Sequence, residues 1–179
     1  SVYVIGDEQN YHMQVLKLIM QKLKEPGADG IHHLSYGMVE LPTGKMKSRE
    51  GTVVDADDMM DDMIALAQKN TEELGKIEGF SETELKELYN TLGLGALKFY
   101  LLRVDPKKRM LFNPEESIDF HGYTGPFVQY THARICSILR KYEYAPCALV
   151  TTLSALEKKL IQRMEQYPEV LMQASNEFN

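Results

Sequence analysis

Residues 2–41 run strand, polar turn, helix, strand, and this order limits the possible folds more than any other feature of the chain. Val2–Ile5 is a short apolar run closed by Gly6, which predicts a buried strand. Asn10–Lys24 has helical spacing, with Val15, Leu18, Ile19 and Leu23 on the expected inner face and Pro26-Gly27 as the stop. His32–Leu41 is rich in strand formers, and Pro42-Thr43-Gly44 reads as a turn. Strand, turn and helix open a βαβ unit. In parallel sheets of that kind ligands gather at the carboxyl ends of the strands. Asp7, Glu8, Gln9 and His12 fall at such an end. As isolated residues they are more often surface turns or helix caps.

Lys45-Met46-Lys47-Ser48-Arg49-Glu50-Gly51-Thr52-Val53-Val54 places three cations within five residues, followed by a glycine and a β-branched pair. Such a loop suits a polyphosphate, because Lys and Arg neutralise oxygens and flanking N–H groups add to them. On composition alone a solvated basic turn is commoner. Five aspartates follow, at 55, 57, 58, 61 and 62. They lack the spacing and glycine of a Ca²⁺ loop. They read better as a helix start, with Asp55 or Asp57 as cap and carboxylates opposing the positive end of the dipole. Met59, Met63, Leu66 and Ala67 form the expected apolar stripe.

Asn70–Gly79 is polar and reads as a linker or frayed helix end, and Ser81-Glu82-Thr83-Glu84 is a capping box. Its helix runs through Leu85, Leu88, Tyr89 and Leu92. Gly93 and Gly95 mark a bend or a close approach before Ala96–Arg103 resumes. Lying along the inner corner of a folded RNA and plain packing are both open readings of this helix. Asp105–Arg109 is a basic loop, for which phosphate contact and solvation weigh equally, and Met110–Asn113 a short strand. Gly122–Pro126 reads as a hinge. Phe127–Tyr142 reads as a helix with Val128, Tyr130 or Thr131, Ile135, Ile138 and Leu139 inward. Gln129, His132 and Arg134 on its other faces are candidate RNA contacts. Ser154-Ala155-Leu156-Glu157 is a second capping box, with Leu156, Leu160, Ile161 and Met164 as the apolar face, and Pro168 is the expected start of another helix.

No apolar run approaches the ~20 residues that span a bilayer, so the expectation is a protein without membrane attachment. Val2–Gly6 is too short for the core of a secretory signal. Cys136 and Cys147 are the only cysteines, and the expectation is free thiols in a cytosolic protein. Adjacent His32 and His33 point to opposite faces of a strand, so no metal site is expected there. Net charge is −6, yet residues 50–87 carry twelve acids against three bases, and residues 98–163 eleven bases against six acids. An RNA would favour the second region. The chain opens on Ser1 directly at a strand and ends without a closing signal, so a piece of a longer protein is expected.

Four stretches, taken in order, resemble one family. Met46, Ser48, Arg49, Gly51, Thr52, Val53 and Val54 fit the degenerate KMSKS loop of arginyl-tRNA synthetases, M-S-T-R-K-G-T-V-V. Tyr3–Gln9 with His12 resembles the strand and helix start lining the amino-acid and nucleotide pocket. His33–Val39 resembles the segment whose backbone receives adenine. Ile118-Asp119-Phe120 through Gly125–Arg134 resembles the start of the family's helical anticodon-binding domain. The chain is therefore similar to part of an arginyl-tRNA synthetase, a class I aminoacyl-tRNA synthetase. Two departures stand out. Ser48 occupies the position of the second signature lysine, so Lys45, Lys47, Arg49 or a lysine from elsewhere must supply that charge. The HIGH signature, expected upstream, does not occur.

The resemblance implies an α/β fold: part of a Rossmann-like class I catalytic domain over residues 1–120, then an incomplete α-helical bundle over 121–179. It implies ATP-dependent activation of L-arginine and transfer to tRNA(Arg), with Mg²⁺ on the ATP phosphates. Lys45, Lys47 and Arg49 would steady the departing pyrophosphate. His12, Gly37, Met38, Val39 and Ser48 would hold ATP, Gln9 would help hold arginine, and Gln129, His132 and Arg134 would meet tRNA. The implied parent is cytoplasmic and monomeric, and this piece alone is expected to be inactive. Another class I synthetase, or a non-catalytic RNA-binding protein, is the alternative. The long Phe120–Arg134 match disfavours a sister synthetase.

Overall fold

The computed structural model describes residues 1–42, 55–75, 77, 79–142 and 152–178. The chain divides into two compact units, Ser1–Ala133 and Arg134–Asn179.

The first unit opens with β1 (Val2–Gly6), a 3₁₀ turn (Asp7–Gln9), α1 (Asn10–Lys22) and β2 (His32–Tyr36). β1 and β2 pair in parallel, Val2 opposite His32 and Gly6 opposite Tyr36. The expected βαβ unit is present, but β1 is not buried. Val2, Tyr3 and Val4 are exposed, because among the described residues the sheet has two strands and cannot be covered on both faces. α1 also turns a different face inward from the one its hydrophobic pattern predicts. Met13 is buried and Lys17 and Met20 are half-buried, whereas Leu18, Ile19 and Leu23 are exposed and Val15 is half-buried. Polar bonds pick this face: Lys17 Nζ donates to Ile31 O (2.9 Å) and Gln21 Nε2 to Asp29 Oδ1 (2.8 Å). The helix stops when Lys24 takes φ 56°, before Pro26 is reached.

The expected strand His32–Leu41 is two strands in two sheets. After β2 the chain turns at Gly37 and forms β3 (Val39–Glu40), which pairs in parallel with β4 (Met110–Leu111). β4 is shorter than the expected Met110–Asn113, since Asn113 instead caps α4 (Pro114–Ser117) through Glu116 N.

The core of this unit lies between α2 (Ala56–Glu73) and α3 (Glu82–Leu102). Asp55 caps α2 by accepting from Asp57 N at 3.1 Å. Met63 and Ala67 are sealed against Leu92, Ala96, Leu97 and Tyr100 of α3, and Phe112 and Ile118 close the end. The expected linker at Asn70 is helical through Glu73: Thr71 continues the 63–67 stripe, is buried, and donates Oγ1 to Ala67 O (2.7 Å). The Ser81–Glu84 capping box forms at α3 as predicted. α3 is one unbroken helix, and Gly93 and Gly95 serve close approach rather than a bend. A Cβ on Gly93 would lie 2.8 Å from Met63 O and 2.9 Å from Ile64 Cα, both backbone atoms of α2.

Arg103, at the end of α3, bridges to Glu116 of α4 at 2.9 Å and stacks 3.8 Å from the Tyr100 ring centroid. It also donates to Tyr123 O (3.2 Å). The predicted hinge at 122–126 is a packed joint. Thr124 donates Oγ1 to Asp119 O and caps Phe127 N (3.2 Å), and Thr124, Gly125 and Pro126 are buried. From there α5 (Gly125–Lys141) begins. Its expected inner residues Val128, Tyr130, Thr131, Ile135, Ile138 and Leu139 are exposed. At the start of α5 the residues that turn inward are Gly125, Pro126 and, in part, Gln129, because the helix there approaches α3 at Gly95, where only glycine and an amide fit; further along, Cys136 and Ser137 are half-buried.

In the second unit, α6 (Ala155–Glu177) starts at the predicted Ser154–Glu157 capping box. It runs straight through Pro168 rather than restarting there. Proline's φ near −65° is helical, so the helix forgoes the bond to Met164 O and continues through helix formers on both sides. Leu156, Leu160, Ile161 and Met164 are exposed, with no described element over them.

Candidate nucleotide and RNA site

Parallel pairing brings the carboxyl ends of β1 and β2 to one edge. Gly6 faces Tyr36 in register, and a Cβ on Gly6 would lie 3.9 Å from the Tyr36 ring. The turn Asp7–Gln9 leaves from Gly6, and Gly37–Val39 leaves from Tyr36. Two of the predicted groups are thus neighbours at the edge where parallel sheets bind ligands. Gln9 and His12 are exposed, and His12 sits edge-on to Tyr11 with ring centroids 5.9 Å apart. His33 donates Nε2 to Ile5 O at 3.0 Å, a structural bond within the sheet.

Gly37 has a role the sequence reading did not assign. Its N–H donates to Pro106 O (2.7 Å), and a Cβ would lie 2.5 Å from the Lys108 carbonyl carbon. The close approach is taken by the backbone of the Asp105–Arg109 loop, not left open for a flat ring. Met38 O accepts from Met110 N (3.1 Å) and Glu40 O from Phe112 N (2.7 Å). Val39 stands opposite Met110, so its own N–H and C=O point away from β4. Among the described residues no strand lies on that side. An adjacent donor and acceptor on an open edge can read the rim of a purine.

A cleft of about 480 Å³ between α1, β2 and the basic loop is lined by Asp7, Asn10, Gln14, Lys17, His33 and Lys107, among others. Gln9 and His12 are not part of it. The sequence reading overlooked Asn10 and Gln14; Lys107 carried a signal in the Asp105–Arg109 charge run. Lys45, Lys47, Ser48 and Arg49 lie outside the described residues, as does Cys147. The described chain resumes at the Asp55 cap of α2.

On α5, Gln129 is turned onto α3, its Nε2 donating to Thr91 O at 2.9 Å. His132 and Arg134 are exposed. In the turn before α5, Asp119 Oδ1 accepts from His121 N (2.8 Å) and lies 3.2 Å from its Nδ1. The His121 backbone N–H, with the ring, holds the Asp119 carboxyl below its ordinary range.

The profile of the family described as "tRNA synthetases class I (R), catalytic domain" matches residues 1–113. The chain belongs to the class I arginyl-tRNA synthetase family. Within that family the fold is the mixed α/β catalytic architecture followed by helices, and a second profile, "DALR anticodon binding domain", matches residues 128–179. An arginine–tRNA ligase of Flavobacterium psychrophilum is 60% identical over 175 residues, 97% of this chain and 29% of the relative. The arginine–tRNA ligase of Amoebophilus asiaticus is 55% identical over 97% of this chain and 30% of the relative. The chain therefore spans about 30% of the length of these curated arginyl-tRNA synthetases. The solved arginyl-tRNA synthetase of Thermus thermophilus superposes with a TM-score of 0.82 at 26% identity, covering 98% of this chain and 29% of that one.

Proposed function

We propose that the chain is the C-terminal part of an arginine–tRNA ligase catalytic domain, residues 1–120, with the start of its anticodon-binding domain, residues 121–179. What supports this reading is the Gly6–Tyr36 register, which starts the Gln9 turn and the Gly37–Val39 segment from adjacent strand ends. In the parent, the arginine carboxylate attacks the α-phosphorus of ATP. One O–P bond forms, the bond to the β-phosphate oxygen breaks, and pyrophosphate leaves. The terminal ribose hydroxyl of tRNA(Arg) then attacks the arginyl carbonyl, and AMP leaves. Neither step needs a nucleophile from the protein, so positioning and charge stabilisation supply the catalysis.

The roles follow from chemistry and place. Gln9 offers an amide to arginine, and His12, in the first turn of α1, a donor to phosphate oxygens. Val39 reads adenine through its backbone, while Gly37 and Met38 shape that edge by fixing β3 on the basic loop and β4. Lys45, Lys47 and Arg49 neutralise the pyrophosphate as it departs, and Ser48 adds a hydroxyl donor. Among the described residues no group of three His, Cys, Asp or Glu is placed to hold a metal. Mg²⁺ would take its oxygens from the triphosphate, as it commonly does. Of the α5 residues, His132 and Arg134 are the proposed tRNA contacts. The parent is read as a cytoplasmic monomer; light scattering on the full-length protein checks the monomeric state.

The test is ATP–pyrophosphate exchange by the full-length parent with arginine and tRNA present. Exchange specific to arginine, falling ten-fold or more (about 1.4 kcal/mol) in Lys45→Ala or Arg49→Ala, is the expected result. Arginine-dependent exchange untouched by both changes removes the loop from the mechanism. Exchange with a different amino acid moves the parent to a sister synthetase.

A further inference from the structure

Gln129 lies in the second turn of α5, half-buried, with its amide turned onto α3. Its amide fills a notch cut by Gly95 in α3. A Cβ on Gly95 would lie 2.5 Å from Gln129 Nε2 and 3.2 Å from its Cδ. Beside the notch, a Cβ on Gly125 would lie 2.6 Å from Gly95 O, so α3 and the start of α5 meet backbone to backbone. The bond from Nε2 to Thr91 O (2.9 Å) sets the direction of this contact. Gln129 Oε1 is buried and has no hydrogen-bond partner among the described residues. A buried amide oxygen without a partner is unfavourable. An apolar side chain of the same size would avoid that cost but could not specify one register of α5 on α3.

We propose that Gln129 is a positioning residue for the tRNA-dependent step. Its amide, held in the Gly95 notch, seats the start of α5 on α3 and thereby sets how His132, three residues further along, meets RNA. Gln129 itself does not touch RNA. The inference rests on the ligase reading above and deepens it.

A double-mutant cycle in the full-length parent tests it, with Gly95→Ala, Gln129→Ala and the two combined. Alanine at 95 meets the far end of a flexible side chain, so it expels the amide without forcing the backbone apart. Each single change is expected to raise the KM for tRNA about five-fold, the loss of one directional hydrogen bond. Turnover at saturating tRNA, and the KM for ATP and arginine, should stay within about two-fold. The double variant should be no worse than either single one, because both remove the same contact. Gly95→Ala with an unchanged KM for tRNA overturns the proposal; a KM raised by Gln129→Ala alone, or additive effects in the double variant, would show Gln129 acting on RNA directly and overturn it too. A parallel loss of turnover and of all three KM values would reduce the contact to general folding and also overturn it. Filter binding of tRNA separates the two claims. The same non-additive pattern in tRNA affinity, in a parent that charges no arginine, sinks the ligase reading and leaves the positioning role standing.

Discussion

Gly93→Ala sets two opposing effects against each other in one methyl group. In an unconstrained helix interior alanine is favoured over glycine by about 1 kcal/mol. Here the new Cβ would sit 2.8 Å from Met63 O and 2.9 Å from both Ile64 Cα and Ile64 N. Carbon atoms in ordinary contact stand about 3.5–4.0 Å apart. All three neighbours are backbone, so no rotamer change relieves the clash and α2 must retreat by roughly 0.5–1 Å, which forfeits about a quarter to a half of the dispersion energy along the seam. That seam contains Met63 and Ala67, each 1% exposed, and Ala96, fully buried. Overpacking of this kind costs about 1–3 kcal/mol, and the backbone contact places it near 3. Subtracting the helix gain leaves about 2 kcal/mol of destabilisation, or roughly 30-fold in a local opening equilibrium. Hydrogen exchange on the full-length protein, read over peptides covering 56–73 and 82–102, should speed up by that factor. Unchanged or slower exchange would mean that propensity outweighs packing, and the close-approach account of Gly93 would fail.

Further outcomes follow from the same contacts. Hydrogen bonding from Arg103 holds the Glu116 carboxyl below its ordinary value of 4.5. A depressed folded-state value means the contribution is complete above that pH and disappears as pH falls through the folded value. Glu116→Gln should therefore speed exchange over residues 110–118 at neutral pH, and the difference from wild type should close once the pH falls well below 4.5. A difference that persists in acid would assign the effect to packing instead. Ser81→Ala and Ser154→Ala each break a reciprocal capping box. Each should cost about 1 kcal/mol, seen as roughly five-fold faster exchange in the first turn of its own helix and not at the far end. Equal rates in that first turn would show that neighbouring contacts, not the cap, hold the helix start.

The local devices were legible in advance. Asp55 and the two Ser–Glu boxes start their helices because a cap involves only the residue and the backbone two or three positions on. The 59–63–67 stripe was readable too, since α2 has one apolar face, buried against α3, Phe112 and Ile118. The pairing of β1 with β2 followed from the order strand, helix, strand. The errors share a cause. α1 and α5 each carry more apolar surface than the described elements cover, and periodicity cannot rank one stripe above another.

The sequence by itself determined the opening strand–helix–strand order, the capped starts of α2, α3 and α6, and the family, because each depends on spacing over a few residues or on a motif. Tertiary structure decided what depends on atoms far apart in the chain. Lys17 and Gln21 chose the buried face of α1 by reaching Ile31 and Asp29. The loop at Lys108 gave Gly37 its purpose. Gly95 leaves the notch into which the half-buried Gln129 turns its amide. Glycine and amide carry little signal in a sequence pattern. Their meaning appears only when two backbones come within a distance that no other side chain would permit.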